Sequence, residues 1–164
     1  MGKIILPEVE LCAIVRDELI NPAGGIEDFV HSTTPFVGRA TIVDTGSKDG
    51  TKEKLRNLLN TYPRLNIGEF DQSMKDAYIQ YDPRVLLLAS RGIGEPDSPD
   101  RFSYAAARNF AVSLTKLRWL LVLDADERLT QEDFKKIGEV MRQQPTAEGF
   151  NFDLGTYTWK GGTK

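Results

Sequence analysis

The chain lacks several features that would assign it to a class at once. Its 164 residues include one cysteine, Cys12, and one histidine, His31. A single cysteine excludes an intramolecular disulfide, and one cysteine with one histidine is too few for a Cys/His zinc site. The thiol lies in the apolar run Leu11–Val15, so we expect a small buried side chain rather than a nucleophile.

Long hydrophobic runs and a strong charge of one sign are also missing. No stretch approaches the ~20 apolar residues that cross a bilayer, and no basic segment followed by an apolar region stands at the N-terminus. The formal net charge is -3, which gives no basic surface for nucleic acid. We therefore expect a cytoplasmic protein with no transmembrane segment and no nucleic-acid partner, at most peripheral to a membrane.

What the chain does have is an alternation of strand-like and helix-like segments within a length typical of one domain. Alternation of this kind predicts an α/β fold, because parallel strands need crossovers and the crossovers place helices on both faces of the sheet. Residues 72–90 fit neither type clearly, and Gly92–Arg101 predicts a long loop. The patterns predict strands near 9–15, 40–43, 64–70 and 119–123, helices at 26–34 and 52–62, after Ser103 and near 131–143, and a β-like tail at 149–159.

Acidic side chains follow three of the predicted strands. Asp17 and Glu18 come after the first, Asp44 ends the second, and Asp124 and Asp126 follow the acid-tipped strand 119–123. In a parallel α/β sheet, ligands collect at the carboxyl ends of the strands. We therefore expect these acids to lie at one edge of the sheet.

The pair Asp124 and Asp126 carries the strongest chemical signal. In extended chain, residues two apart share a face, so the two carboxylates can point the same way across the small Ala125. Carboxylates this close repel each other unless a cation lies with them, and a hard divalent ion that bridges to phosphate meets that need. The alternative is structural, because acids often follow strands where they precede a helix, and Thr130 predicts an N-cap here.

The segment after the second strand, Asp44–Thr51, contains two glycines and several side-chain oxygens. Ser47 and Asp49 are good turn and capping residues, so a structural role explains them without a ligand. Asp44 stands at the strand tip, where it is free to accept from the N–H of a base. Arg108 lies off the predicted inward stripe Phe110/Leu114/Leu117 of its helix, and such arginines are usually solvated. Its helix leads into the acid-tipped strand, however, where an arginine can meet phosphate or base.

Four segments in this order resemble the motifs of family 2 glycosyltransferases with the GT-A fold. The resemblance covers about residues 9–130, and four ordered motifs are more specific than any one of them. It implies a Rossmann-like three-layer sandwich with a mainly parallel central sheet. It also implies that 1–164 form a single domain whose acceptor-binding part is short or absent. The segments are Leu11–Glu18, Val43–Thr51, Ala107–Asn109 and Trp119–Glu127.

The resemblance also implies roles for individual residues. Asp44 contacts the nucleotide base, and Arg108 lies near the base or the diphosphate. Asp124 reaches the ribose or the metal shell, while Asp126 ligates Mn²⁺ or Mg²⁺. The other nucleotide-sugar contacts predicted within these motifs are Val15, Arg16, Asp17, Glu18, Ser47, Asp49 and Ala125.

The implied activity is metal-dependent, inverting transfer of a sugar from a UDP- or GDP-sugar to an unidentified glycan, lipid or protein acceptor. Inverting transfer needs a carboxylate base; Asp153 is a weak candidate because strand alternation alone explains it, so the base stays unassigned. A nucleotide-sugar-binding module without activity of its own, or a form that relies on a homo-oligomer, is an alternative. A haloacid dehalogenase-type phosphatase is a further one, although Arg128 stands where its pattern has Thr or Val.

Overall fold

The central feature of the computed structural model, which describes residues 4–78 and 102–150, is a four-stranded sheet in which all strands are parallel. The elements are β1 (Leu6–Val15), α1 (Gly25–Thr33), β2 (Val37–Asp44), α2 (Thr51–Leu58), β3 (Leu65–Glu69), α3 (Lys75–Tyr78), α4 (Tyr104–Ser113), β4 (Trp119–Val122) and α5 (Gln131–Gln143).

The strand order is β3-β2-β1-β4. The chain therefore steps outward from β1 to β2 and β3, then crosses back to the other side of β1 to form β4. Such a reversal opens a crevice at the carboxyl ends of the strands on either side of it, here β1 and β4. The register places Asp44 opposite Val15 and Val122 opposite Cys12, so β1 and β2 end at the same level, whereas β4 ends opposite Cys12, before the end of β1.

Alternation along the strands divides the core into two layers. Leu11 and Ala13 of β1 pack on one face, in a cluster that includes side chains of α1, α2 and α5. Cys12 points to the other face and packs with α4. Helices therefore cover both faces of a parallel sheet, which confirms the predicted three-layer α/β class and is consistent with a Rossmann-like GT-A fold.

The helix starts predicted from the sequence are confirmed. Ser103 caps α4 by accepting the Ala106 amide, and Thr130 forms a capping box with Asp133 at the start of α5. Reciprocal capping of this kind satisfies amides that have no partner within the helix.

The predicted inward stripe of α4 holds at Phe110 and Leu114, which pack in one cluster, but not at Leu117, because the helix ends at Ser113. The hydroxyls of Ser113 and Thr115 donate to the carbonyls of Phe110 and Val112, and the Leu114 amide bonds three residues back, to Ala111. Local bonds of this type compete with the helical ladder and end it. The residues that α4 buries are Ala106, Ala107, Phe110, Ala111 and Val112.

The other predicted bounds hold approximately. β1 begins earlier than predicted, at Leu6, and α2 ends earlier, at Leu58. The predicted loop Gly92–Arg101 and the tail from 151 onward lie outside the described residues. Within 4–78 and 102–150, no helix combines the length and hydropathy that crossing a membrane requires.

Candidate functional site at the carboxyl ends of the strands

The loops that follow β1 and β2 are joined by hydrogen bonds between side chains and backbone. The Asp17 amide donates to the Ser47 hydroxyl at 2.9 Å, and the Lys48 amide donates to the Asp17 carboxylate at 2.7 Å. Asp17 has a φ of 54°, a left-handed conformation that Asp adopts more readily than most residues. The loop after β1 is therefore held in a defined shape by the loop after β2.

A second set of bonds continues this connection toward α2. The Glu18 amide donates to the Thr51 hydroxyl and the Leu19 amide to the Asp49 carboxylate, both at 2.8 Å. Burial raises the pKa of Asp49, but hydrogen bonds from Thr51 and Leu19 outweigh it and hold that pKa below its ordinary value. Ser47 and Asp49 thus have the structural role that turn chemistry predicts, and the predicted contact of either residue with a nucleotide-sugar stays a prediction.

Asp44 combines burial with an unused acceptor. Only 1% of the residue is exposed, and its Oδ1 accepts the amides of Gly46 and Ser47 at 2.9 and 3.0 Å. Gly46 makes this turn with a φ of 100°, which favours glycine. The other oxygen, Oδ2, is buried and accepts no hydrogen bond from the described residues. A buried acceptor without a partner carries a cost in free energy, and a ligand N–H would remove it.

Asp124 and Asp126 are not in extended chain, which corrects the geometry expected from their spacing. β4 ends at Val122, and residues 124–127 form a turn in which the Glu127 amide donates to the Asp124 carbonyl at 3.0 Å. The Glu127 carboxylate in turn accepts the Asp124 amide at 2.7 Å. Ala125 is buried, whereas both aspartates are exposed. The turn, rather than strand alternation, presents the two carboxylates to solvent.

The acids of this turn influence one another electrostatically. Burial raises the pKa of Glu127 above its ordinary value, and the charges of Asp124 and Asp126 add to that rise. The hydrogen bond from the Asp124 amide and the charge of Arg108 act in the opposite direction. The charges of Asp124 and Asp126 thus disfavour ionisation of Glu127, and the nearby positive charge of Arg108 opposes them.

Arg108 reaches this turn from α4. Its Nη2 lies 3.0 Å from the Asp124 carboxylate, and its Nη1 donates to the Cys12 carbonyl of β1 at 3.4 Å. The arginine is largely covered, with 20% of its side chain exposed against 65% for Asp124. Arg108 is thus a fixed positive charge over the crevice between β1 and β4, rather than a solvated helix arginine.

The turn fits only one mode of divalent-ion binding. Among the described residues, no group of three His, Cys, Asp or Glu side chains is arranged to hold a metal. Asp126 is exposed and makes no hydrogen bond or ion pair with that part of the chain. Mg²⁺ is typically bound by one or two carboxylates together with waters and substrate phosphates. The acidic turn suits that mode and does not suit a cage built from protein ligands alone.

Two residues to which the sequence analysis gave no role at the site fix this turn in place. Arg128 donates to the carbonyls of Ala125 and Glu127 and to the carbonyls of Ala23 and Gly25 at the start of α1. Asn21 donates to the same Ala125 carbonyl at 3.2 Å, and its own Oδ1 accepts two amides of its loop. The sequence carries a signal for Asn21, because Asn before Pro and Gly favours a side-chain-supported turn; nothing comparable marks Arg128.

The predicted residues share one edge of the sheet but do not form a single contact network. Asp44 makes no described contact with Arg108 or Asp124, and two strand spacings separate its backbone from that of Asp124 by roughly 10 Å. Asp44 follows the alternation of Ile42, on the face covered by α1 and α2, whereas Arg108 comes from the opposite layer. A ligand that meets all three must cross the end of β1.

The remaining predicted residues differ in what they expose. Val15 is buried, and its carbonyl accepts both the amide and the hydroxyl of Thr45. Arg16 is half exposed, 3.8 Å from Asp17 and with its guanidinium 5.8 Å from the Phe102 ring centroid. The carboxylate of Glu18 accepts from the Asn21 amide group. Asp153, the weak candidate for the base, lies outside the described residues.

The known proteins that this chain resembles are similar to it at low sequence identity. No protein-family model matches the chain. A TPR repeat-containing protein from Synechococcus elongatus is 29% identical over 145 residues, which cover 88% of this chain and 27% of that protein. The chain therefore spans about a quarter of the length of that relative. The crystal structure of S. aureus TarS 1-349 aligns with a TM-score of 0.49 and 10% identity, over 84% of this chain and 33% of that one. At these values the likeness carries no argument, and the fold assignment stands on the strand order and the layers.

Proposed function

We propose that the chain binds a nucleoside-diphosphate sugar across the carboxyl ends of β2, β1 and β4, and that it takes part in metal-dependent, inverting transfer of the sugar. The observation that carries the proposal is the buried Oδ2 of Asp44, which accepts no hydrogen bond from residues 4–78 and 102–150 and lies at the same edge as the Arg108–Asp124 pair. The Asp44 oxygen suits a nucleotide base, and the Arg108–Asp124 pair suits a diphosphate. The four motifs described from the sequence supply the reaction class.

The Asp44 end of the edge has the chemistry of a base contact. Two loop amides hold Oδ1 of this carboxylate in place, so Oδ2 is oriented before any ligand arrives. Uracil and guanine each present a ring N–H that can donate to such an oxygen. A hydrogen bond to an ionised acceptor contributes more than a neutral one, and a buried acceptor that fails to find its donor is penalised. Asp44 therefore favours bases that carry a ring N–H donor.

The other end has the chemistry of a diphosphate contact. Arg108 presents a covered guanidinium, and planar guanidinium groups match phosphate geometry with two parallel hydrogen bonds. Asp126, and Asp124 beside it, would hold a Mn²⁺ or Mg²⁺ ion. When bound, that ion stabilises, as a Lewis acid, the negative charge that develops on the leaving nucleoside diphosphate. Arg108 and the acidic turn thus bind and orient the leaving group.

The acceptor and the base that deprotonates it are not assigned among the described residues. A module that binds the nucleotide-sugar and transfers nothing by itself is therefore the second candidate function. The phosphatase alternative fits less well, because Arg128 stands two places after the second acid, where that pattern has Thr or Val. Failure to form a beryllofluoride adduct that mimics an aspartyl phosphate would remove it.

The test is calorimetric titration of the chain with UDP and GDP, each with Mn²⁺ and with EDTA. We expect one of the two to bind, and to bind more tightly with Mn²⁺. Binding of neither under any condition would refute the proposal. A thermal-shift screen of nucleotide-sugars with Mn²⁺ then identifies the sugar, because ligands that bind only the native state raise its apparent stability. Hydrolysis or transfer of that sugar by the isolated chain would exclude the module that only binds.

A further inference from the structure

Arg128 makes an unusual set of contacts for an arginine beside an acidic turn. Its Nη1 donates to the carbonyls of Ala125 and Glu127 at 2.7 and 2.9 Å, and its Nη2 to those of Ala23 and Gly25 at 2.9 and 3.1 Å. All four acceptors are backbone oxygens, and none is a carboxylate. The guanidinium therefore connects the turn after β4 to the loop that begins α1.

The surroundings of Arg128 hold the side chain in this position. Its guanidinium lies 5.4 Å from the ring centroid of Phe29, a fully buried side chain of α1. Burial lowers the pKa of the guanidinium, while the charges of Asp28, Asp126 and Glu18 oppose that effect. A lysine has a single charged nitrogen and cannot donate to four carbonyls from one plane, so the contact set is specific to arginine.

Asn21 completes the connection. Its Nδ2 donates to the Ala125 carbonyl at 3.2 Å and to the Glu18 carboxylate at 2.6 Å. The Ala125 carbonyl thus receives one hydrogen bond from Asn21 and one from Arg128. Asp126 is the next residue along the chain, and its exposed carboxylate has no described partner of its own. The backbone on either side of Asp126 is fixed, while its side chain stays available.

We infer that Arg128 is a positioning residue, which with Asn21 fixes the turn 124–127 so that Asp126 meets the metal–diphosphate group of a bound nucleotide. The inference rests on the proposed function and extends it to a residue outside the motif pair itself. Arg128 touches neither metal nor nucleotide in this account. Its effect on binding passes through the backbone of the turn.

The experiment compares Arg128→Lys and Asn21→Asp with a matched control, Arg142→Lys, in the exposed last turn of α5. Each variant is titrated calorimetrically with the preferred nucleoside diphosphate, with Mn²⁺ and with EDTA. We expect Arg128→Lys and Asn21→Asp to lower the Mn²⁺-dependent gain in affinity about tenfold, the usual scale for residues that orient metal ligands. Affinity in EDTA should stay within about twofold of wild type, because Asp44 and Arg108 are untouched.

Hydrogen exchange provides a readout that needs no nucleotide. The Glu127 amide bonds to the Asp124 carbonyl across the turn, so its exchange should accelerate in Arg128→Lys and stay slow in Arg142→Lys. Unchanged exchange of the Glu127 amide in Arg128→Lys overturns the inference, whether or not the wild type binds a nucleoside diphosphate. Failure of the wild type to bind any nucleoside diphosphate refutes the proposed function instead. Equal loss of affinity with Mn²⁺ and with EDTA also overturns it, because that result indicates a general structural role. If Arg128→Lys does not fold, Asn21→Asp decides by the same two measurements.

Discussion

Two buried carboxylates of the same sheet, Glu10 and Asp44, have opposite hydrogen-bonding states. Glu10 of β1 is fully buried, and its Oε2 accepts the amides of Lys116 and Leu117 while its Oε1 accepts the Thr41 hydroxyl. Asp44 of β2 is equally buried, yet its Oδ2 accepts nothing from the described residues. One carboxylate is satisfied by the fold, and the other is satisfied only in part.

The position of each carboxylate explains the difference. Glu10 anchors the loop that leads into β4. That loop lies toward the amino ends of the strands, where a ligand crevice is not expected. The Nε of Arg39 lies 3.2 Å from Glu10 Oε1 but in poor hydrogen-bond geometry, since that Nε has no acceptor in the part of the chain that the structure describes. Asp44 lies at the carboxyl ends, where ligands bind. A satisfied buried acid stabilises the fold, and an unsatisfied one at a strand end favours a binding role.

The largest expected effect comes from removing the satisfied acid. Glu10→Ala leaves the amides of Lys116 and Leu117 and the Arg39 charge without their partner, which should lower the free energy of unfolding by about 3 kcal/mol. Glu10→Gln should cost less, because one side-chain oxygen can still accept the two amides. Urea unfolding measures both. A loss below about 0.5 kcal/mol for Glu10→Ala, a size typical of surface substitutions, would remove the contrast with Asp44.

The second prediction is a loss of affinity rather than of stability, and it concerns Asp44. Asp44→Asn keeps an oxygen for the Gly46 and Ser47 amides but replaces the free acceptor by a donor. We expect a loss of nucleoside-diphosphate affinity of about 2 kcal/mol, roughly thirtyfold, with little change in urea stability. Calorimetry and urea unfolding of the same sample check it. A large loss of stability with unchanged affinity would assign Asp44 to the same structural role as Glu10.

The third prediction concerns the acid that is exposed rather than buried. Asp126→Asn should lower nucleotide affinity in Mn²⁺ about tenfold and leave affinity in EDTA unchanged, because a carboxylate is a better ligand than an amide for a hard divalent ion. Glu139→Gln, an exposed change in α5, is the control. If both variants lose the same affinity, the effect reflects net charge and not a metal ligand.

The smallest effect is expected at an exposed, paired acid near the same edge. The hydrogen bond from Lys52, and then that from Arg56, lowers the pKa of Glu69 below its ordinary 4.5, although partial burial opposes the change. The stabilisation is therefore present above that ordinary value and is lost as the pH falls through the lowered pKa. Glu69→Gln should cost less than about 1 kcal/mol at pH 7. Urea unfolding of variant and wild type should converge in acid; a constant difference would contradict the pairing.

The sequence predicted the layers of this fold well because they depend on short-range patterns. Strand and helix alternation, the N-cap Ser103 and the capping residue Thr130 are all local signals. The end of α4 at Ser113 was missed, since it depends on hydroxyls that compete for carbonyls, which a stripe of apolar residues does not reveal. The acid at the end of β2 was predicted from its position, whereas the lack of a described donor to its Oδ2 is visible only in three dimensions.

The acidic turn shows more clearly what local sequence patterns do not reveal. The spacing of Asp124 and Asp126 suggested extended chain, but the Glu127 carboxylate accepts the Asp124 amide and bends the backbone into a turn. Arg108 belongs to the same site because α4 packs over β1, a contact between residues 96 apart in sequence. Arg128 meets carbonyls about a hundred positions away. Contacts of that range follow from the strand order and not from any local motif.

The most direct test is NMR of the isotope-labelled chain with its preferred nucleoside diphosphate, first with Mg²⁺ and then with Mn²⁺. The account predicts amide shifts with Mg²⁺ at Gly46 and Ser47, and paramagnetic broadening with Mn²⁺ centred on the turn 124–127. The amides of Lys116 and Leu117 beside Glu10 should stay unchanged. Broadening centred on those two amides, or shifts confined to one strand end, would contradict a single nucleotide-sugar site that crosses the end of β1.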